Sequence, residues 1–224
     1  MQAVLDRACA EHNLFLTALT GAYLSDASAG VQASPKRVSD FARRALDLTG
    51  AYIQTMRDIA QRAVDEFDQA GDPELHHQLA NRARTLTAEL QRLATENAHQ
   101  LMRQLRGQSV DFSGYAASGA VGLLVQQRMA RPQFVNTDTA QRRWDAGRLV
   151  RLLVRDFLYQ SQIDVQVAEA ARLSDQAQVR HERAEHQHCG MRVSLTGKHP
   201  HLPFIGQVRD TVFHVNATSW IEAC

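Results

Sequence analysis

Two apolar stripes on either side of Gly71-Asp72-Pro73 constrain this chain more than any other feature. Upstream, Val38, Phe41, Ala45, Leu48, Tyr52, Met56, Ile59, Ala63 and Phe67 recur every three or four residues, with charges between them. Downstream, Leu79, Ala83, Leu86, Leu90, Leu93, Asn97 and Leu101 keep the same step to about Leu105. That period gives a helix one apolar and one hydrated face. Helices are therefore predicted over 36–70 and from Pro73 to 105. Asp72 suits the N-cap and Pro73 the first helical position, where its missing N–H would have no partner anyway. Two long helices joined by so short a turn fold back as an antiparallel hairpin. Asn97 either fixes the register of the pair or yields its place in the stripe to Ala98.

The remaining segments follow the same logic. Val4, Leu5, Ala8, Leu14, Leu16, Leu19 and Tyr23 predict a helix over 2–24, with His12-Asn13 as a candidate interruption. A small polar linker covers 25–30, and Ser34-Pro35 opens the next helix. Residues 107–122 are rich in Gly and Ser but lack the Gly-Lys-Ser/Thr ending of a phosphate loop, so they read as a connector. A short helix is expected over 123–129. A third long helix is expected over 139–173, with Trp144, Leu149, Leu152, Leu153, Phe157, Leu158, Ile163 and Val167 as its apolar contacts. Residues 178–182 read as a strand. Apolar residues make up 44% of the chain but aromatics only 6%, which favours packed helices over a β-sandwich. The expected fold is mainly α. Residues 1–106 form a helical hairpin region, and 107–224 a second helical unit with a small α+β, His-rich C-terminal module.

Charge restricts the partners. The net charge is +1, so any nucleic-acid contact must come from a local patch. One exists: Arg128, Arg131, Arg142, Arg143, Arg148, Arg151 and Arg155 face only Asp138 and Asp145 across the same span. Guanidinium groups pair bidentately with phosphate, so Arg142, Arg143, Arg148, Arg151 and Arg155 are candidate contacts to DNA backbone. They are equally candidates for a solvated face, or for ion pairs with the hairpin. Cys9, Cys189 and Cys224 are odd in number and far apart, which argues against a disulfide framework and for a reducing compartment. No apolar run approaches the ~20 residues of a membrane span, and Met-Gln-Ala-Val-Leu-Asp-Arg does not resemble a signal peptide.

The C-terminal third is different in kind. Six of the ten histidines lie between His181 and His214, in a stretch with little helical periodicity. Cys189 with His186 or His188, plus His199, His201 and His214, offers ligands that suit Zn²⁺. Cys189, His199 and His214 form the candidate metal set, although hydrogen-bonded or exposed histidines explain the composition as well. His181-Glu182-Arg183-Ala184-Glu185-His186 superficially resembles a metalloprotease helix, but its histidines would stand about 140° out of alignment on a helix. Gly197, Pro200 and Pro203 turn the chain, so that Phe204 and Phe213 are expected to meet in a small apolar centre.

The same stretch carries a resemblance. Cys189, then Ser194-Leu195-Thr196-Gly197, His199-Pro200, and finally Phe213-His214 with Asn216, resembles the C-terminal signature of tailed-phage minor capsid proteins of the head-morphogenesis group. Val215, Ala217 and Ser219 stand where that family carries Pro, Cys and His, the residues that would ligate a metal or rigidify the turn. The resemblance covers the last third of the chain. It implies a structural, non-enzymatic virion protein, assembled in the host cytoplasm and present in few copies near the portal vertex. Its partners would be the portal or major capsid protein, in a homo- or hetero-oligomeric assembly, with non-specific DNA contact and no membrane. No cofactor is expected unless the tail takes Zn²⁺. Two alternatives stand beside it: a metal-dependent hydrolase or nuclease on the His-rich tail, and a phasin-like helical scaffold.

Overall fold

A computed structural model describes residues 1–26, 33–107, 134–214 and 217–224. The fold is mainly helical, with a small antiparallel C-terminal module. In chain order the elements are α1 (Gln2–Asp26), α2 (Pro35–Phe67), α3 (Pro73–Gly107), β1 (Val135–Thr137), β2 (Arg143–Asp145), α4 (Ala146–Leu173), β3 (Gln176–His181), β4 (Arg192–Ser194), α5 (Ile205–Val212) and β5 (Ser219–Ala223). Among the described residues, no helix is long and apolar enough to cross a membrane. Of the expected connector over 107–122, Gly107 ends α3 and the rest lies outside the described residues, as do the short helix over 123–129 and most of the linker over 25–30.

The hairpin forms where the stripes place it. Leu79, Ala83, Leu86, Leu90, Leu93 and Leu101 are all buried on α3, as are Val38, Phe41, Ala45, Tyr52, Met56, Ile59 and Ala63 on α2. Asp72 caps α3: its Oδ1 accepts the N–H groups of Glu74 at 3.0 Å and Leu75 at 3.2 Å, two donors with no partner inside the helix. Arg172 adds an ion pair to the same carboxylate at 3.0 Å, and together these bonds hold its pKa below the usual carboxylate value. Gly71 takes the left-handed conformation (φ 64°) that the turn requires. Asn97 and Ala98 are both buried, so the apolar stripe is broad enough at this point to include each of them.

By packing, the described residues form two units. The first contains Met1, Ile59–Leu86 and Leu152–Cys224. Its core gathers Ile163 and Ala170 of α4, Ala177 and Val179 of β3, Val193 of β4, Leu195, Ile205 and Val212 of α5, Phe213, and Ile221 of β5. The sheet order is β4-β3-β5, with both pairings antiparallel. The strand expected over 178–182 is thus β3, shifted two residues toward the N-terminus at its start. Asp164, only 4% exposed, is held by Arg82 and Arg209, and Gln160 accepts Arg209 Nε at 2.8 Å while donating to the Phe213 carbonyl. This network ties α3, α4 and α5 together in the way buried charge demands, with each carboxylate oxygen engaged. Phe204 departs from expectation. It is 39% exposed and outside the core that holds Phe213; its backbone bridges to Ser194 and its ring lies beside Gly206.

The second unit contains Gln2–Asp58 and Thr87–Arg151. Here α1 runs unbroken through His12-Asn13, because His12 faces inward: its Nδ1 lies 3.0 Å from the Tyr52 hydroxyl, and Phe15 stacks on the Tyr52 ring at 4.5 Å. The long helix expected from 139 begins only at Ala146. Residues 135–145 instead form a hairpin in which Val135 pairs with Asp145 and Thr137 with Arg143. Asp138 explains the difference. Its Oδ1 accepts the Arg142 N–H at 2.8 Å and its backbone N–H donates to the Arg142 carbonyl at 3.0 Å, closing a turn that pulls these residues away from helix. Two α3 side chains then donate to the free edge of β1, Gln100 to the Val135 carbonyl at 2.6 Å and Arg92 to the Thr137 carbonyl at 2.9 Å.

Candidate nucleic-acid interface

The hairpin β1–β2 and the first turns of α4 place four arginines within a short run of chain. Asp145 begins α4 as its N-cap, accepting the Arg148 N–H at 3.0 Å. Arg148 and Arg151 are then exposed and three residues apart on the helix, so they share one face. Arg142 and Arg143 are exposed at the end of the turn and the start of β2. Between them Trp144 is half-buried. The Arg142 guanidinium lies 5.6 Å and that of Arg148 5.2 Å from its ring centroid, both within cation–π range. Phe134, Val135, Arg143, Trp144 and Asp145 line a shallow depression beside this stack.

The two carboxylates of this region are committed to structure. Asp138 receives the Trp144 indole N–H at 2.9 Å and Arg142 Nε at 2.8 Å, besides the Arg142 backbone N–H. Loss of hydration alone would raise its pKa, but these donors and the guanidinium charge outweigh that and hold it at about 2. Asp145 is the helix cap. Among the described residues, no carboxylate forms an ion pair with Arg143, Arg148 or Arg151. Such a surface can neutralise phosphates through bidentate guanidinium groups. Arg155 is exposed further along α4 and belongs to the other unit. Arg128 and Arg131 lie outside the described residues. Asp138 and Trp144 are the residues that composition did not assign to this surface. The sequence signal was present, an Asp four residues before an Arg and six before a Trp.

The candidate metal set is not brought together. Among the described residues, no group of three or more His, Cys, Asp or Glu side chains is disposed to hold a metal ion. Cys189 is half-buried in the turns after β3, where its N–H donates to the His186 carbonyl at 2.8 Å. His199 contacts Gln176 Nε2 at 3.3 Å, on the opposite margin of β3. His214 follows α5 and acts electrostatically on His186, while Asn216 lies outside the described residues. The His181–His186 segment is not helical at all. It leaves β3 into tight turns, which stack the two imidazoles at 3.8 Å and 5°. The Arg183 N–H donates to His181 Nδ1 at 3.0 Å, and His181 Nε2 meets Thr218 Oγ1 at 3.2 Å. Partial burial, and then the cationic forms of His181, His188, His214 and Arg183, push the His186 pKa down. These rings act as turn-forming hydrogen-bond partners in this geometry.

The motif Ser194–Gly197 also has a structural job. Ser194 is fully buried, its N–H donates to the Pro203 carbonyl at 2.9 Å, and its Oγ accepts the Gly197 N–H at 2.9 Å. Gly197 takes φ 74°, a conformation that favours glycine. Comparison of the chain with models of known protein families, with curated proteins and with solved structures returns no match.

Proposed function

We propose that this chain is a non-enzymatic structural protein of a tailed-phage or prophage head, placed near the portal vertex, that touches packaged DNA through its phosphate backbone. The observation that carries the DNA contact is the run of exposed arginines Arg143, Arg148 and Arg151, with Arg148 over the Trp144 ring and the carboxylates of Asp138 and Asp145 already engaged in a turn and a helix cap. A near-neutral protein with one cationic face binds polyanions locally rather than over its whole surface. The head setting rests on the resemblance of Cys189, Ser194–Gly197, His199-Pro200, Phe213-His214 and Asn216 to the minor capsid signature. The role of Ser194 and Gly197 in the backbone of the C-terminal module fits a motif selected for architecture.

The test is made on particles. Heads purified from cells that produce the chain should contain it in few copies, together with the portal and major capsid proteins. Full-length protein should bind duplexes of unrelated sequence with equal affinity. Absence of the chain from heads removes the virion setting, and marked preference for one sequence removes the backbone mode of contact.

A further inference from the structure

We propose that Trp144 is a positioning residue for a phosphodiester clamp. The indole holds the guanidinium groups of Arg142 and Arg148 in place for nucleic-acid phosphates and does not serve as a platform for bases. This inference rests on the DNA-contact reading above and extends it to the class of ligand, which is the phosphate backbone of duplex and single strand alike.

Three observations support it. First, the indole already has cationic partners: Arg142 at 5.6 Å and Arg148 at 5.2 Å from its centroid. Base stacking needs an open aromatic face, and here two guanidinium groups lie over the ring. Second, the ring itself is fixed. Its Nε1–H donates to Asp138 Oδ2 at 2.9 Å, and the same carboxylate oxygen accepts Arg142 Nε at 2.8 Å. Asp138 thus sets the indole and one guanidinium at once, and Asp145 sets the backbone from which Arg148 projects. Third, long arginine side chains lose considerable rotamer freedom when they grip a ligand. Stacking on a fixed indole removes much of that freedom before the phosphate arrives; Arg142 shares its charge with Asp138, while among the described residues no ion pair neutralises Arg148. Arg143 lies next to the ring in sequence and lines the same depression, which supplies a further cation.

The number of charges and their placement are separable here. Replacing Trp144 leaves every arginine present, so the count of phosphates neutralised, and hence the salt slope, should stay as it is. Affinity should fall, because the guanidiniums are no longer pre-ordered.

The experiment measures full-length protein against a mixed-sequence duplex and one of its single strands across a salt series. It compares wild type, Trp144→Leu, Trp144→Phe and Arg148→Gln, with thermal melts to confirm that each variant is folded. Trp144→Leu is expected to weaken both nucleic acids by about fivefold with an unchanged salt slope. Trp144→Phe keeps a ring face but loses the bond to Asp138, so its affinity should fall between those of wild type and Trp144→Leu; if Trp144→Leu does not fold, wild-type affinity in Trp144→Phe overturns the positioning role. Arg148→Gln should reduce the slope by about one unit. Folded Trp144→Leu that binds both ligands as wild type does would overturn the positioning role. Selective loss of single-strand binding in either Trp144 variant would overturn it in favour of a base-stacking platform. Failure of wild-type protein to bind either nucleic acid would sink the DNA-contact reading itself, an outcome distinct from both.

Discussion

His12 should make the second unit labile to mild acid. Its ring is 1% exposed, beside the stacked rings of Phe15 and Tyr52, and one of its nitrogens, Nε2, is buried with no hydrogen-bond partner. Burial pushes its pKa from 6.5 down to about 4, with Asp145 opposing the shift only in part. The unfolded chain therefore binds a proton between pH 6.5 and about 4 that the folded chain refuses. A group whose pKa is lower in the folded state stabilises the fold above the unfolded value. That stability is lost as pH falls through the window toward the folded value. A difference of about 2.5 units at 1.36 kcal/mol each is worth about 3 kcal/mol. The perturbation is His12→Phe, which keeps an aromatic ring and removes the titration. Urea unfolding from pH 7.5 to 4, with amide exchange of α1 as the local reporter, gives the comparison. Wild type should lose about 3 kcal/mol more than the variant over this range. Parallel pH profiles would refute the reasoning, since they would mean that the ring is protonated in the folded state at no cost.

Three other substitutions probe separate parts of the molecule. Asp164→Ala strips the shared carboxylate from Arg82 and Arg209 and should cost about 3–5 kcal/mol in the first unit, read by denaturant unfolding; a loss well under that would mean the arginines find other partners. Gln141 sits at φ 60°, so Gln141→Gly should raise stability by about 1 kcal/mol in thermal melts, and a loss would contradict the left-handed turn. Phe213→Ala empties the centre of the C-terminal core and should cost about 3–5 kcal/mol, exposing β3–β5 to amide exchange while α1 stays protected.

The hairpin was legible because its signals are local and repeated. Asp72, Pro73 and a stripe that holds its step from Leu79 to Leu101 all favour one outcome, and the structure follows them. The run 135–145 was not legible as strands. Each strand has three residues, too few for a period to appear, and the turn places Gln141 where glycine or asparagine would have been the signal. His12-Asn13 resembled a break because a polar pair interrupts an apolar helix; only the Tyr52 hydroxyl, forty residues on, accounts for it. The arginine face was visible as a count of charges. Its organisation around Trp144 depends on the hairpin, so it could not be read before the hairpin was known. The placement of the histidines was hidden for a related reason. Their number suggested ligands, whereas their positions depend on turns that put Cys189, His199 and His214 to separate uses.

The central claim, contact with the phosphate backbone through the arginine face, is tested most directly by the salt dependence of duplex binding. For full-length wild-type protein, log Kobs should fall linearly with log salt concentration with a slope of about −3, corresponding to three or four neutralised phosphates. The combined Arg143→Gln, Arg148→Gln and Arg151→Gln variant should bind so weakly that little slope remains. A wild-type slope near zero, or a slope that the triple substitution leaves unchanged, would contradict the claim.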